Sequence, residues 1–171
     1  MMNANQLAPD LDLADAQTFR EAMSRLGAAV HIVTTDGKAG KAGFTATAVA
    51  SVSDTPSTLL VCLNRKSQIT PLMLENGTFC VNTLAATEEP IADVFAGRTG
   101  VYMAERFNTG EWDTIKTGSP ALKSAIAVFD CRVLESKEVG SHYVYFGSVV
   151  AVRLGPARKA LVYHDRAYKH V

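Results

Sequence analysis

The chain has 171 residues, of which 47% are hydrophobic and 20% charged, and these values are typical of one globular domain. Its 17 basic and 17 acidic residues give a formal net charge of zero, which argues against a nucleic-acid-binding or membrane-binding surface. No apolar run approaches the roughly 18 residues that a membrane-spanning helix needs. The N-terminus lacks the features of a secretory signal, so we expect a cytoplasmic protein.

Three cysteines, Cys62, Cys80 and Cys131, each lie inside an apolar, strand-like run. Their odd number and the absence of a CxxC spacing argue against a disulfide framework and against a zinc site. We therefore expect buried free thiols that pack as small hydrophobic side chains.

In chain order, residues 1–12 are predicted to form a flexible N-terminal segment and residues 13–171 a single domain. Residues 13–27 have helical periodicity, and four apolar side chains on one face are predicted to pack in the core: Phe19, Ala22, Met23 and Leu26. Two further short helices are predicted. One begins near Thr70 and Pro71 and stops at Asn76-Gly77, and the other covers residues 87–97.

Apolar and β-branched runs predict seven strands, at residues 29–35, 44–53, 59–63, 79–84, 126–134, 143–154 and 160–163. In the fifth of these, Asp130 and Arg132 alternate with apolar residues, which predicts one solvent-exposed face. Residues 98–119, which include the lone Trp112, have weak periodicity and are predicted to be an irregular excursion.

The predicted fold is mainly β with short helices. Strands do not alternate regularly with long helices, and the chain has no GxGxxG motif, which argues against a doubly wound parallel sheet. We expect about six or seven strands in a closed antiparallel barrel, because closure removes exposed strand edges.

The most informative stretch is residues 44–82. Small hydroxyl residues alternate with alanine and valine in one strand, and the next strand ends in Asn64-Arg65-Lys66-Ser67. This pattern predicts a shallow slot of exposed backbone with a cationic rim, which suits a flat aromatic ring that carries a phosphate. No other part of the sequence suggests a catalytic acid, base or nucleophile.

The histidines do not predict a metal site. His164 and His170 are six residues apart, Asp165 is adjacent to the first, and no fourth ligand is evident. His31 lies within an apolar strand and is predicted to be a pocket-wall or core residue.

Several segments together resemble the short flavin reductases, the reductase components of two-component flavin monooxygenases. The segments are AMSRLGAAVHIVTTDG, GFTATAVASVSDTPSTLLVCLNRKS, FCVNTL, FAG and GSHYVYFGSV. The resemblance extends from about residue 19 to residue 168 and is closest to the pyrimidine-utilisation and hydroxyphenylacetate-monooxygenase branches. It implies an FMN-binding split barrel, which is an antiparallel six-stranded Greek-key barrel. It also implies a homodimer with FMN or FAD near the subunit interface, and NADH or NADPH as the electron donor.

The resemblance also implies roles for particular residues. His142 falls in a G-x-H segment linked to the nicotinamide, although Ser141 stands where the family often has Asp. The flavin-binding residues that it implies follow strands and turns along the whole chain: Thr45, Ala46, Thr47, Ser51, Val52, Ser53, Asn64, Arg65, Ser67, Arg98 and Tyr168. Of these, Asn64, Arg65, Ser67 and Arg98 are predicted to contact the phosphate or the ribityl chain.

Three functions are open at this stage. The first is a reductase that supplies diffusible reduced flavin to a flavin-dependent monooxygenase component. The second keeps its FMN tightly bound and reduces a cobalt corrinoid. The third is a non-catalytic barrel that binds flavin or haem.

Overall fold

A computed structural model describes residues 12–171. Residues 1–11 of the predicted flexible segment 1–12 therefore lie outside the described residues. Three α-helices are present in the described part: α1 (Ala16–Ser24), α2 (Thr70–Asn76) and α3 (Glu89–Phe95). Short 3-10 helices cover Ala86–Glu88 and Met103–Asn108. The strands are β1 (Ala28–Ala29), β2 (His31–Thr35), β3 (Ala42–Ala46), β4 (Val49–Asp54), β5 (Ser57–Asn64), β6 (Thr78–Thr83), β7 (Trp112–Thr114), β8 (Pro120–Leu122), β9 (Ala127–Val139), β10 (His142–Leu154), β11 (Leu161–His164) and β12 (Ala167–His170).

The main sheet has seven strands in the order β3-β2-β6-β9-β10-β5-β4, and every pair of neighbouring strands in it is antiparallel. The mainly β, antiparallel prediction is confirmed. The prediction of a closed barrel is corrected, because β3 and β4 end the series and no ladder joins them within residues 12–171. The main sheet has seven strands where the resemblance implied six. The extra strand arises at Thr47-Ala48, where the predicted strand 44–53 breaks and its two halves go to opposite ends of the sheet.

One hydrophobic core brings the two halves of this sheet together. Phe44 and Ala46 of β3 belong to the same buried cluster as Leu59 and Leu63 of β5. The sheet therefore curls around side-chain packing instead of closing by backbone hydrogen bonds. This curl places the end of β3 near the end of β5, where the candidate site lies.

Both predicted short helices are confirmed. Pro71 occupies the first turn of α2, and Gly77 follows the helix with a left-handed φ of 66°. Proline fits the first turn because the first amide groups of a helix need no intrahelical acceptor. Glycine fits the position after the last turn because it has no Cβ to oppose a positive φ. Gly97 has the same role after α3, with a φ of 78°.

The prediction that the apolar face of α1 packs in the core is wrong for the described chain. Phe19, Met23 and Leu26 are 59%, 48% and 57% exposed. The helix is attached by polar contacts at its other side: the amide of Asp165 donates to Ser24 O at 2.7 Å, and Arg166 pairs with Glu21. Its apolar stripe is therefore exposed in the described part of the chain.

The solvent-exposed face predicted for β9 is wrong at Asp130, whose side chain is fully buried. Its carboxylate accepts hydrogen bonds from the backbone N–H groups of Lys116 and Thr117, both at 2.8 Å, and from the Thr117 hydroxyl. Satisfied acceptors offset the cost of burying this charge. Asp130 thus ties the excursion of residues 98–119 to the sheet.

The buried thiols are confirmed at Cys80 and Cys131, whereas Cys62 is half-buried. Burial raises the pKa of Cys131 to about 12, so this thiol stays protonated at neutral pH. Among residues 12–171, no helix has the length and the apolarity that crossing a membrane would require.

Candidate functional site

Two cavities lie on either side of Thr45 and Ala96, which line both. The larger has a volume of about 360 Å³, and its lining includes Asn64, Ser67 and Arg106. The smaller has a volume of about 210 Å³, and its lining comes from β3, from the turn after α3 and from the β11–β12 hairpin: Val30, Thr45, Ala46, Thr47, Ala96, Arg98, Tyr163 and Tyr168. Because they share these two lining residues, the cavities adjoin at β3, and we refer to the pair as the slot.

Small residues form the wall of this slot at β3. The Thr45 hydroxyl donates a 2.6 Å hydrogen bond to the carbonyl of Ala92, so α3 already uses the polar end of this side chain. Ala46 is buried and Thr47 is exposed in the turn that follows. The small side chains leave the backbone accessible to a planar ring here, and the predicted flavin contact of these residues stays a prediction.

The turn after β5 forms the opposite wall. Asn64 Oδ1 accepts from the backbone N–H of Lys66 at 2.9 Å, and Ser67 Oγ accepts from the backbone N–H of Ile69 at 3.2 Å. These bonds fix the turn, and they engage the side-chain oxygens of Asn64 and Ser67 as acceptors while leaving the side-chain donors unused. The Asn64 amide N–H groups and the Ser67 hydroxyl proton have no acceptor among residues 12–171, so they can donate to a ligand in the larger cavity.

Arg65 points to a different place. Its guanidinium pairs with Glu138 and donates to the carbonyl of Gly140 at 3.3 Å, in the hairpin between β9 and β10. This hairpin and the turn after β5 enclose a third cavity of about 390 Å³, which Lys66 and Ser141 also line. The structure therefore does not bring the Arg65 guanidinium into the slot beside Thr45.

His142 lies next to this third cavity. It begins β10 directly opposite Asn64 in the antiparallel register, and it is exposed. Its Nδ1 lies 2.8 Å from the hydroxyl oxygen of Ser141. Ser141, at the position where the family often has Asp, thus orients the ring through a hydrogen bond, and no partner of Nε2 is found within residues 12–171.

Ser51, Val52 and Ser53 lie on β4, where the register with β5 shifts. Ser51 and Ser53 line a fourth, largely apolar cavity of about 550 Å³ together with His31 and Val149. Val52 is 48% exposed. The described chain therefore does not bring these three residues to the slot beside Thr45.

His31 is a buried pocket-wall residue, as predicted. It is 8% exposed, and its Nδ1 lies 3.1 Å from the hydroxyl oxygen of Thr83. Burial lowers the pKa of His31 to about 4, so the imidazole is neutral at physiological pH.

Arg98 and Tyr168 meet at the smaller cavity. The guanidinium carbon of Arg98 lies 5.3 Å from the centre of the Tyr168 ring, and Nη1 of the same side chain donates to Asp93 at 2.7 Å. This hydrogen bond raises the pKa of Arg98. The β11–β12 hairpin, whose second strand was not predicted, brings Tyr168 to this position beside Tyr163.

Arg106 is a site residue that sequence reasoning missed. It lies in the 3-10 helix Met103–Asn108, is half-buried, and lines the larger cavity. Its Nε donates to Val101 O at 3.0 Å, and its Nη1 donates to Gly43 O and Phe95 O, both at 3.2 Å. The sequence signal that could have found it is the pair of large aromatic residues, Phe107 and Trp112, within the excursion. In the structure both pack against Phe95, so the excursion contacts the core.

Residues 12–171 contain no group of three or more His, Cys, Asp or Glu side chains placed to hold a metal ion. The slot is lined by apolar and aromatic side chains together with hydroxyl, amide and cationic ones, and within the described part of the chain its lining contains no Asp, Glu or His. Such a site can bind and orient a planar anion, which is the protein's share of the work when a cofactor carries the chemistry.

Comparison with known proteins agrees with this class of site. The family model described as "Flavin reductase like domain" matches residues 23–171. A relative from Enterobacter sp. (strain 638), named FMN reductase (NADH) RutF, is 51% identical over 154 residues, which cover 90% of this chain and 93% of the relative.

Two solved structures are also similar. A putative flavin reductase from Haemophilus somnus has a TM-score of 0.88 and 41% identity, and the match covers 92% of this chain and 100% of that one. BorF, the flavin reductase component of a bacterial two-component tryptophan halogenase, has a TM-score of 0.85 and 28% identity, covering 92% and 98% of the two chains. The curled antiparallel sheet is that of the flavin reductase fold. This chain belongs to the flavin reductase-like family.

The residues of the slot fit FMN. Thr45, Ala46 and Ala96 leave room for a flat ring against the backbone, and Asn64 and Ser67 offer donors for a phosphorylated chain. Arg106 adds a positive charge that the carbonyl contacts hold in place.

Proposed function

We propose that the protein is an NADH-dependent FMN reductase that releases reduced FMN to a separate monooxygenase component. The observation that carries this proposal is the slot beside Thr45, which offers backbone, small side chains and anion-binding donors. When bound, FMN supplies the hydride-accepting chemistry, so the protein needs no acid or base of its own. The name of one similar protein, FMN reductase (NADH) RutF, supports the choice of donor and flavin. BorF, the flavin reductase component of a two-component halogenase, supports transfer to a separate component.

In this proposal, the flavin ring lies against β3 at Thr45–Thr47, and the phosphorylated chain extends toward Asn64 and Ser67. The slot is rigid at both walls, because α3 holds Thr45 and the turn after β5 is held by its own hydrogen bonds. Rigid walls orient the ring without an ordering cost at the moment of reaction.

The nicotinamide donor approaches from the side of His142 and the cavity lined by Arg65 and Lys66. The register of β5 and β10 places His142 beside Asn64, so the donor side adjoins the flavin slot. Ser141 orients the imidazole, which can then contact the donor through Nε2.

We also propose that two copies of the chain form a homodimer. Support comes from the end of β10, where Val152 and Leu154 are 52% and 82% exposed, and from Val52 on β4, which is 48% exposed. Val152 lines the apolar cavity that Ser51 and Ser53 line, and Leu154 pairs with Ala127 of the same lining. Val52 lies between Ser51 and Ser53 on β4. A second copy seated there would cover the apolar surface and close the cavity. In such a dimer β4, which lies away from the slot beside Thr45, would line a site at the subunit interface.

Steady-state oxidation of NADH, measured with and without free FMN, tests the proposed function. We expect the rate to depend on added FMN and to saturate with it. An NADH oxidation rate that is independent of added flavin would contradict diffusible transfer. Light scattering tests the assembly: the wild-type chain should have twice the monomer mass and Val152→Asp should shift it toward the monomer, whereas a monomeric wild type would contradict the dimer.

A further inference from the structure

Three arginines surround the candidate flavin site, and two of them are already neutralised. Arg65 pairs with Glu138, and Arg98 pairs with Asp93. The phosphate of FMN is an anion, and it gains most from a cation that no carboxylate already engages. Arg106 is the third arginine, and no acidic side chain lies within ion-pair distance of it in residues 12–171.

Arg106 is also held in one orientation. Its Nε and Nη1 donate to the carbonyl oxygens of Val101, Gly43 and Phe95, at 3.0 to 3.2 Å. Neutral carbonyls fix the guanidinium but leave its charge uncompensated. A half-buried cation of this kind interacts with an anion more strongly than an exposed one, because water and salt screen it less.

The remaining nitrogen of Arg106 is open to a ligand. Nη2 has no hydrogen-bond acceptor within the described residues, and a Cβ at position 97 would lie only 3.4 Å from it. The missing side chain at Gly97 therefore leaves space beside this nitrogen.

Neutral donors line the same cavity as Arg106. The amide of Asn64 and the hydroxyl proton of Ser67 have no acceptor within the described chain. Gln68 Oε1 accepts from the Tyr102 hydroxyl at 3.2 Å, and its amide nitrogen likewise has no acceptor in residues 12–171. A phosphate group has three terminal oxygens, which several converging donors can satisfy.

We propose that Arg106 is the cation that binds the phosphate of FMN, in the larger cavity and together with Asn64 and Ser67. This assignment rests on the proposed function. It differs from the sequence-based expectation that Arg65 and Arg98 contact the phosphate, and it makes Arg106 the residue that distinguishes phosphorylated from unphosphorylated flavin.

The test compares the affinities for FMN and for riboflavin, which differ only in the phosphate. We expect Arg106→Gln to raise the dissociation constant for FMN by about 10- to 100-fold and that for riboflavin by less than about threefold. Arg106→Lys keeps the charge and should retain part of the preference for FMN. The matched controls Arg65→Gln and Arg98→Gln should leave the ratio of the two constants within about threefold of wild type.

A purely structural role for Arg106 would weaken both ligands equally, and that result would overturn the proposal. A changed ratio in Arg65→Gln with an unchanged ratio in Arg106→Gln would also overturn it. A wild-type chain that binds neither flavin would instead contradict the proposed function itself, so the two failures are distinguishable.

Should the Arg106 variants not fold, the wild-type chain still permits a test. Phenylglyoxal modifies accessible arginines, and peptide mass spectrometry locates the modified residues. We expect FMN to protect Arg106 from modification and riboflavin to protect it much less. Equal protection by the two flavins, or none by either when both bind, would contradict the assignment.

Discussion

Arg65 forms an ion pair with Glu138, and the same guanidinium donates a hydrogen bond to the carbonyl of Gly140. The pair joins the turn after β5 to the hairpin that leads into His142. It also balances the charge of Arg65 beside the cavity that Lys66 and Ser141 line. In the proposed arrangement this is the donor cavity, it meets the flavin slot at this turn, and different arginines serve the two.

The first prediction concerns this ion pair. Arg65→Gln should raise KM for NADH by about three- to tenfold, because it leaves the negative charge of Glu138 unpaired in the donor cavity, and should change FMN affinity by less than about threefold. Glu138→Gln should have the opposite effect on KM, because it frees the charge of Arg65. Steady-state kinetics and flavin titration of both variants provide the check. A larger change in the dissociation constant for FMN than in KM for NADH would indicate that Arg65 contacts the FMN phosphate.

The second prediction concerns His142. His142→Ala should raise KM for NADH by about tenfold and leave FMN affinity nearly unchanged, because the residue lies on the donor side. His164→Ala is a matched control, since His164 is exposed and belongs to β11, outside the cavities described. If His142→Ala weakens FMN binding more than it affects NADH, the residue belongs to the flavin side.

The third prediction concerns pH and the buried His31, whose pKa is lowered by burial from 6.5 to about 4. Between these values the unfolded chain binds a proton at this position and the folded chain does not, so acid favours unfolding. Stability from this group should be complete above pH 6.5 and should decline as the pH falls toward 4, by up to about 3 kcal/mol.

Denaturant titrations of wild type and His31→Gln across this pH range provide the measurement. The variant should lose less stability on acidification than the wild type does, because glutamine cannot bind the proton. Identical pH dependence in the two proteins would show that His31 does not carry this effect.

The sequence was sufficient to predict features whose signals are local. Pro71 and Gly77 bounded α2 correctly because each residue favours one backbone conformation. The break at Thr47-Ala48 was not predicted, because no Gly, Pro, Asn or Asp interrupts that run and every residue in it is compatible with a strand. The turn is therefore set by tertiary packing rather than by local propensity.

The candidate site likewise combines residues that local sequence predicted with residues that only tertiary packing brings together. Thr45, Asn64 and Ser67 were identified from one continuous stretch, and the structure brings them to one cavity. Arg106 was missed because its place in that cavity depends on carbonyl groups of Gly43 and Phe95, which are distant in sequence. Asp130 was misassigned to solvent because alternation predicts the face of a strand but not what covers it.

The fourth prediction concerns packing within the sheet. A Cβ at Gly147 of β10 would overlap the ring of Phe79 and lie 3.1 Å from Cβ of Cys131. Gly147→Ala should therefore destabilise the fold by about 1–3 kcal/mol in denaturant titration. Gly27→Ala is the control, because its added methyl would meet Val162 at an ordinary 3.7 Å.

A partner substitution sharpens this test. Phe79→Leu combined with Gly147→Ala should recover part of the lost stability, because the smaller side chain makes room for the new methyl group. Equal stability of wild type and the single Gly147→Ala variant would contradict the packing described.

The most direct measurement of the central claim is anaerobic mixing of excess NADH and FMN with a catalytic amount of the protein, followed by the loss of the yellow absorbance of oxidised flavin. We predict that many equivalents of FMN are reduced per protein chain, with one NADH consumed for each. An FMN reduction rate no faster than that of the protein-free mixture, from a chain shown to bind FMN, would contradict the account.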